Sequence, residues 1–170
     1  ELIKDPAKRA AMIKQYSTPV VEKNEITDSE IGTFQKEFAS EKGNLPWPVD
    51  GVVTAHFGTV TDPLYGTKIP NLGIDIAAPP QTPVHAVCNG YVFGILPVTG
   101  YGDLVLVNHG RYKTVYGNLS QVMVHKNMII NKGDVIGLSG DKNSAKGEVL
   151  FFMVRDGKKN VNPESWLSKQ

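Results

Sequence analysis

IPNLGIDIAAPPQTPVHAV, residues 69–87, carries both a strand pattern and the outline of a site. Successive side chains of a strand point to opposite faces, so Asn71, Gly73 and Asp75 fall on one side and Leu72, Ile74 and Ile76 on the other. The apolar side is expected in a core and the polar side over a site. Ala77 to Pro80 end the strand, because proline donates no ladder hydrogen bond and fixes its own φ. Asn71 and Asp75 also stand where a His-x-Gly-x-Asp pattern would offer an imidazole and a carboxylate to one zinc ion. The amide of Asn71 has a hard oxygen and no imidazole lone pair, a poor donor for a cation that prefers nitrogen and sulfur.

Outward from this stretch, short apolar runs separated by Gly, Pro and Asn begin at Leu45 and give the pattern of an all-β unit. Strands are expected within GVVTAHFG, TPVHAVCNGYVFGILP, DLVLVNHG, YKTVYGNLS, GDVIGLSG and EVLFFMVRDG. Asn131-Lys132-Gly133-Asp134 reads as a turn, and Gly137 and Gly140 as points of close backbone approach. Before Leu45 the pattern is helical. Asp5-Pro6 opens a helix continued by AKRAAMIKQY, and Ser17 to Ile26 forms an extended connector. Thr27-Asp28-Ser29-Glu30 is a capping box that starts a second helix, running to about Lys42 with Ile31, Phe34 and Phe38 on one face and Gly43 as its stop. The expected organisation is a helical arm over 1–43 and a mostly antiparallel β domain over 44–170.

A chain of 170 residues with 41% hydrophobic content can bury one good core. Its 18 basic and 17 acidic residues leave a net charge of +1, which argues against nucleic acid as a main partner, since phosphate neutralisation needs a concentrated basic face. No apolar run approaches the ~20 residues that span a bilayer. Cys88 is the only cysteine, so an internal disulfide and a thiolate-rich zinc site are both excluded, and its place in VHAVC reads as an inert core thiol. His56, His85, His109 and His125 lack the short spacing of a zinc motif and read as surface or hydrogen-bonded side chains. The chain opens at Glu1 without an initiator methionine or a signal sequence, as a mature or trimmed product does.

From Leu45 to Leu167, the ordered set LPWPVDG, NLGIDIAAP, TPVHAVCNGYV, YGDLVLVNHG, TVYGNLS, INKGDVIGLSG and VLFFMVRDGKKNVNPESWL resembles the LytM-type, lysostaphin-like zinc endopeptidases that cut peptidoglycan cross-bridges. That resemblance implies the duplicated hybrid motif fold, with TPVHAVCNGYV as a hairpin. It also implies a zinc ion held by the His and Asp of the first motif and by the second His of a late His-x-His pair. The other His of that pair and a Tyr-x-His-Leu histidine would serve the water and the transition state. In this chain those positions hold Asn71, Asp75, Phe151, Val149 and Asn118, so Asp75 alone survives. A catalytic zinc takes about three protein ligands and a water, so neither a metal cofactor nor peptidase activity is expected.

The degenerate pattern, with the helical lead-in FQKEFASEKGNLPWPV, resembles EnvC-type proteins, in which a dead cleft binds and activates cell-wall amidases. The resemblance implies a non-enzymatic regulator in the periplasm or elsewhere in the exported cell envelope. Its partner would be an N-acetylmuramoyl-L-alanine amidase, with peptidoglycan contact and recruitment to a division complex as further expectations. The former active site, Asn71, Asp75, Asn118, Val149 and Phe151, becomes the expected partner groove. There an exposed Phe151 beside Val149 would anchor a partner helix and the Asn amides would set orientation at the rim. Alternation along residues 149–153 equally allows Val149 and Phe151 to be core, and Asp75 to accept backbone hydrogen bonds in a hairpin. The arm residues Ala7, Ala10, Ala11, Met12 and Ile13 could fold back over the groove as an autoinhibitory lid, or belong to the stub of a longer coiled coil. A stem-peptide binding module and an active zinc endopeptidase remain the competing classes.

Overall fold

The computed structural model describes residues 26–170, so the helix expected from Asp5 and the arm residues Ala7, Ala10, Ala11, Met12 and Ile13 lie outside the described residues. Helix α1 (Asp28–Ser40) begins at the capping box: the Glu30 N–H donates to Thr27 Oγ1 at 3.2 Å, and the Thr27 N–H donates to the Glu30 carboxylate at 3.4 Å. Gly43, at φ 82°, then turns the chain away, and its N–H donates to the Trp166 carbonyl at 3.0 Å. Phe34 and Phe38 form the buried face of the helix. The Phe38 ring lies 4.7 Å from His109, 5.0 Å from Tyr112 and 4.9 Å from Trp166, which places the helix in the same core as the sheet it flanks. Among the described residues no helix is long and apolar enough to cross a membrane.

Among the described residues thirteen strands follow: β1 (Val52–Ala55), β2 (Gly58–Thr61), β3 (Lys68–Asn71), β4 (Ile74–Ala77), β5 (Pro83–His85), β6 (Gly90–Val98), β7 (Gly102–His109), β8 (Tyr112–Leu119), β9 (Gln121–Val122), β10 (Ile129–Ile130), β11 (Val135–Leu138), β12 (Val149–Asp156) and β13 (Lys159–Val161). The large antiparallel sheet runs β1-β4-β12-β8-β7-β6-β10, with β13 against β12. A second sheet runs β5-β11-β9, and β2-β3 forms a separate hairpin. Ile74 and Ile76 of β4, Leu150 and Phe152 of β12, Tyr116 of β8, and Val84 and Ile136 of the second sheet meet in one core.

Two expectations are corrected here. Residues 71–76 are not one strand: the chain breaks at Leu72 and Gly73, and Leu72 is 42% exposed instead of sharing the core with Ile74 and Ile76. Gly73 permits the close approach at the break, because a Cβ there would collide with the Phe152 carbonyl. Nor is TPVHAVCNGYV a hairpin, since β5 pairs with β11 while β6 pairs with β7 and β10. The segment between β5 and β6 passes from one sheet to the other, a connection that local alternation does not distinguish from a turn.

A buried hydrogen-bond chain crosses this core. The Val87 N–H donates to the Tyr116 hydroxyl at 3.0 Å, the Tyr116 and Thr114 hydroxyl oxygens lie 3.2 Å apart, and Thr114 Oγ1 lies 2.9 Å from His109 Nε2. His109 Nδ1 lies 2.6 Å from the Asn89 carbonyl, which only accepts, so Nδ1 carries the proton and Nε2 accepts from Thr114. A second imidazole proton would leave one member of the chain without an acceptor. Burial pushes the His109 pKa down from 6.5 to about 4, although the Asn89 hydrogen bond opposes that shift.

Because the folded value is depressed, His109 contributes stability that is complete above pH 6.5 and is lost as pH falls toward 4. Urea unfolding across that window is expected to show the loss, on the order of 3 kcal/mol, and His109→Gln, though less stable overall, to flatten it. A variant that loses as much stability as the parent over the same window would assign the acid limb to other groups.

Candidate functional site

β12 runs between β4 and β8, with Phe151 opposite Asp75 on one side and Gly117 on the other. Leu150 and Phe152 point into the core, so Phe151 and Asp75 share the opposite face. That face is covered. Phe151 is 2% exposed, with the Tyr101 ring 4.8 Å away, so the expectation of an exposed apolar anchor is corrected. The cover extends to Lys146, whose Nζ lies 3.3 Å from Asp75 Oδ2, 5.2 Å from the centre of the Tyr101 ring and 5.6 Å from that of Phe151.

Among the described residues the Asp75 carboxylate has no backbone hydrogen-bond partner: Oδ2 pairs with Lys146, and Oδ1 is buried without a partner. Burial raises its pKa from the ordinary carboxylate value, and the charge and hydrogen bond of Lys146 oppose the rise. The side chains are 15% exposed at Asp75 and 23% at Lys146, so the pair is less screened than a surface salt bridge.

Asn118, expected at the rim, is fully buried behind the site and holds its parts in place. Its side-chain Nδ2 donates to the carbonyls of Gly147 at 2.9 Å and Val149 at 2.8 Å, and its Oδ1 accepts from the Lys146 N–H at 2.8 Å. Its backbone N–H donates to the Tyr101 carbonyl at 2.7 Å. Both walls of the site thus hang from one residue, which adopts φ 61°, a conformation asparagine tolerates better than most residues. Gly140 completes the cradle, since a Cβ there would overlap Asn118 Nδ2 and the Gly147 carbonyl.

The open part of the site is a cavity of about 190 Å³ lined by Ala55, Ile69, Pro70, Asn71, Asp75, Tyr101 and Lys146. Of the five expected groove residues, Asn71 and Asp75 line it, whereas Asn118, Val149 and Phe151 do not. Asn71 turns its Nδ2 to the His56 carbonyl at 3.0 Å. A zinc site does not fit these residues: the available groups are one carboxylate already paired with an ammonium, one amide engaged elsewhere and two aromatic rings. Among the described residues no group of three or more His, Cys, Asp or Glu is placed to hold a metal ion. The arrangement suits recognition, by a polar pair beside an apolar wall.

Sequence reasoning missed Lys146, Tyr101 and Ile69. A signal for the lysine existed: once the imidazoles are gone, an Asp on the site face of a sheet needs another cation, and Lys146 lies three residues before the strand that faces Asp75.

The model of Peptidase family M23 matches residues 70–163. Among curated proteins, the murein hydrolase activator EnvC of Escherichia coli is 30% identical over 84% of this chain and 34% of its own length. The DD-carboxypeptidase/endopeptidase Mpg of Neisseria meningitidis is 32% identical over 66% of this chain and 26% of its own. A zinc-containing peptidase from Vibrio cholerae superposes with a TM-score of 0.64 at 26% identity, over 72% of this chain and 40% of that one. The chain spans 21% to 34% of the lengths of the first curated relatives it matches.

The clamp makes a definite prediction. Asn118→Gly keeps the positive φ and removes the amide, so it is expected to cost about 3 kcal/mol, one unit per lost hydrogen bond, and to release the Lys146 amide to rapid hydrogen exchange. Unchanged exchange at Lys146 would mean that the loop is held by other contacts.

Proposed function

We propose that this chain, which belongs to peptidase family M23, is a catalytically inactive member that binds and activates a cell-wall N-acetylmuramoyl-L-alanine amidase. The observation that carries this reading is the Lys146 ammonium on Asp75, the one carboxylate left of the metal-binding pattern. A family member that acts on peptide bonds through zinc needs that carboxylate for the metal. The similarity to a murein hydrolase activator over most of this chain supports a role through a protein partner, and with it a place in the periplasm or another part of the exported cell envelope.

The partner groove in this proposal is centred on Asn71 and Asp75. Asn118, Val149 and Phe151 shape it from behind, and Ile69, Pro70 and Tyr101 form its wall. The neighbouring β2-β3 hairpin presents Leu64, Tyr65 and Ile69 at 77%, 79% and 50% exposure, apolar area of the kind that interfaces cover. A peptidoglycan stem-peptide binding module is the second reading, favoured by the opposite charges side by side in the cleft, which suit a zwitterionic or amide-rich ligand.

The test incubates labelled peptidoglycan with the protein alone, with candidate amidases alone, and with both. Release only from the mixture is the expected result. Ile69→Asp and Tyr65→Asp, both at exposed positions, are expected to lower that stimulation by about tenfold or more with folding intact. Release by the protein alone would establish a peptidase, and retention on peptidoglycan without stimulation of any amidase would favour the binding module.

A further inference from the structure

Lys146 reaches the cleft from a loop whose course is fixed at several points. The Asp141 carboxylate closes the first turn by accepting from the Asn143 N–H at 2.9 Å. Asn118 accepts from the Lys146 N–H itself and donates to the two carbonyls that bracket Glu148. A lysine on an open surface keeps its ammonium in water and its stem mobile. This one is anchored at the backbone, 23% exposed at the side chain and directed at a single carboxylate between two rings. The ring faces are electron-rich and attract a cation without offering a lone pair to a metal.

We propose that the Lys146 ammonium is the resident cation of this cleft: it stands beside Asp75 in place of a metal ion, ties the 141–148 loop to β4, and excludes divalent metals even when imidazole ligands are supplied. Two features make the exclusion physical. The ammonium already occupies Asp75 Oδ2, and a dication brought to the same carboxylate would lie within a few ångströms of a positive charge in a largely buried pair, which water screens less than on an open surface. The proposal rests on the reading of this cleft as non-catalytic, but its test uses metal binding and stability alone and needs no amidase.

The first arm supplies the missing imidazoles. Asn71→His/Phe151→His is compared with the same pair carrying Lys146→Ala, and each is titrated with cobalt(II) chloride by its visible absorption. At least about tenfold tighter binding in the triple variant is expected; equal affinity with and without Lys146 would overturn the exclusion. The second arm keeps Phe151 and therefore the packing. Lys146→Met is expected to lower Tm by about 5 °C because it leaves a largely buried carboxylate unpaired, and Asp75→Asn in the same chain to restore at least half of the loss. A Tm unchanged by Lys146→Met, or a loss that Asp75→Asn leaves unrepaired, would overturn the pairing role.

Discussion

A carboxylate drawn out of water has to be neutralised, and Asp75 imposes that requirement on everything around it. It lies on the inner strand β4, between β1 and β12, where register fixes its side chain beside Phe151. Leaving it ionised without a partner would cost several kcal/mol even after relaxation. The fold meets the need with Lys146, and Lys146 has to be delivered from a loop. The loop is held by the Asn118 amide, Asn118 needs a left-handed backbone at the end of β8, and its side chain needs the bare backbone of Gly140. One charge is thus linked through contacts to Asn118, Gly140 and Lys146, as far as seventy-one residues along the chain.

How much of this was legible depends on the range of the interaction. The α1 capping box, the Gly43 stop, the NKGD turn and the alternation of Ile74 and Ile76 are set within a few residues and read directly from the sequence. Cys88 as a buried thiol, its pKa pushed up to about 11 mainly by burial, followed from the apolar run around it. Leu72 did not follow, because period two holds only along an unbroken strand and Gly73 breaks this one. The crossing between β5 and β6 was likewise hidden, since partner strands β7, β10 and β11 come later in the chain.

The candidate site was half legible for the same reason. Position-by-position comparison with a metal motif found Asn71, Asp75, Asn118, Val149 and Phe151 and said which motif ligands those positions lack. It could not say what stands beside them, because Lys146 and Tyr101 occupy no motif position and meet Asp75 and Phe151 only in space. Phe151 shows the difference most sharply. Alternation alone left its face either open or covered, and the cover came from a ring fifty residues away in sequence, on the turn before β7.

The substitutions also make physical sense as a set and poorly one at a time. With metal and imidazoles present, an ammonium at the Lys146 position would place two cations on one carboxylate, so the lysine is costly before the ligands go. With the ligands gone and no lysine, Asp75 keeps a charge that nothing offsets. The Phe151 ring offers the ammonium an attractive face without a lone pair for a metal, and it fills the space under Tyr101. Lys146, Phe151 and the Asn71 amide therefore form one electrostatic arrangement around Asp75. One imidazole at position 71 or 151 would leave the Lys146 ammonium on Asp75, and removing Lys146 alone would leave that carboxylate unpaired with no imidazole beside it, so no single change assembles a metal site here.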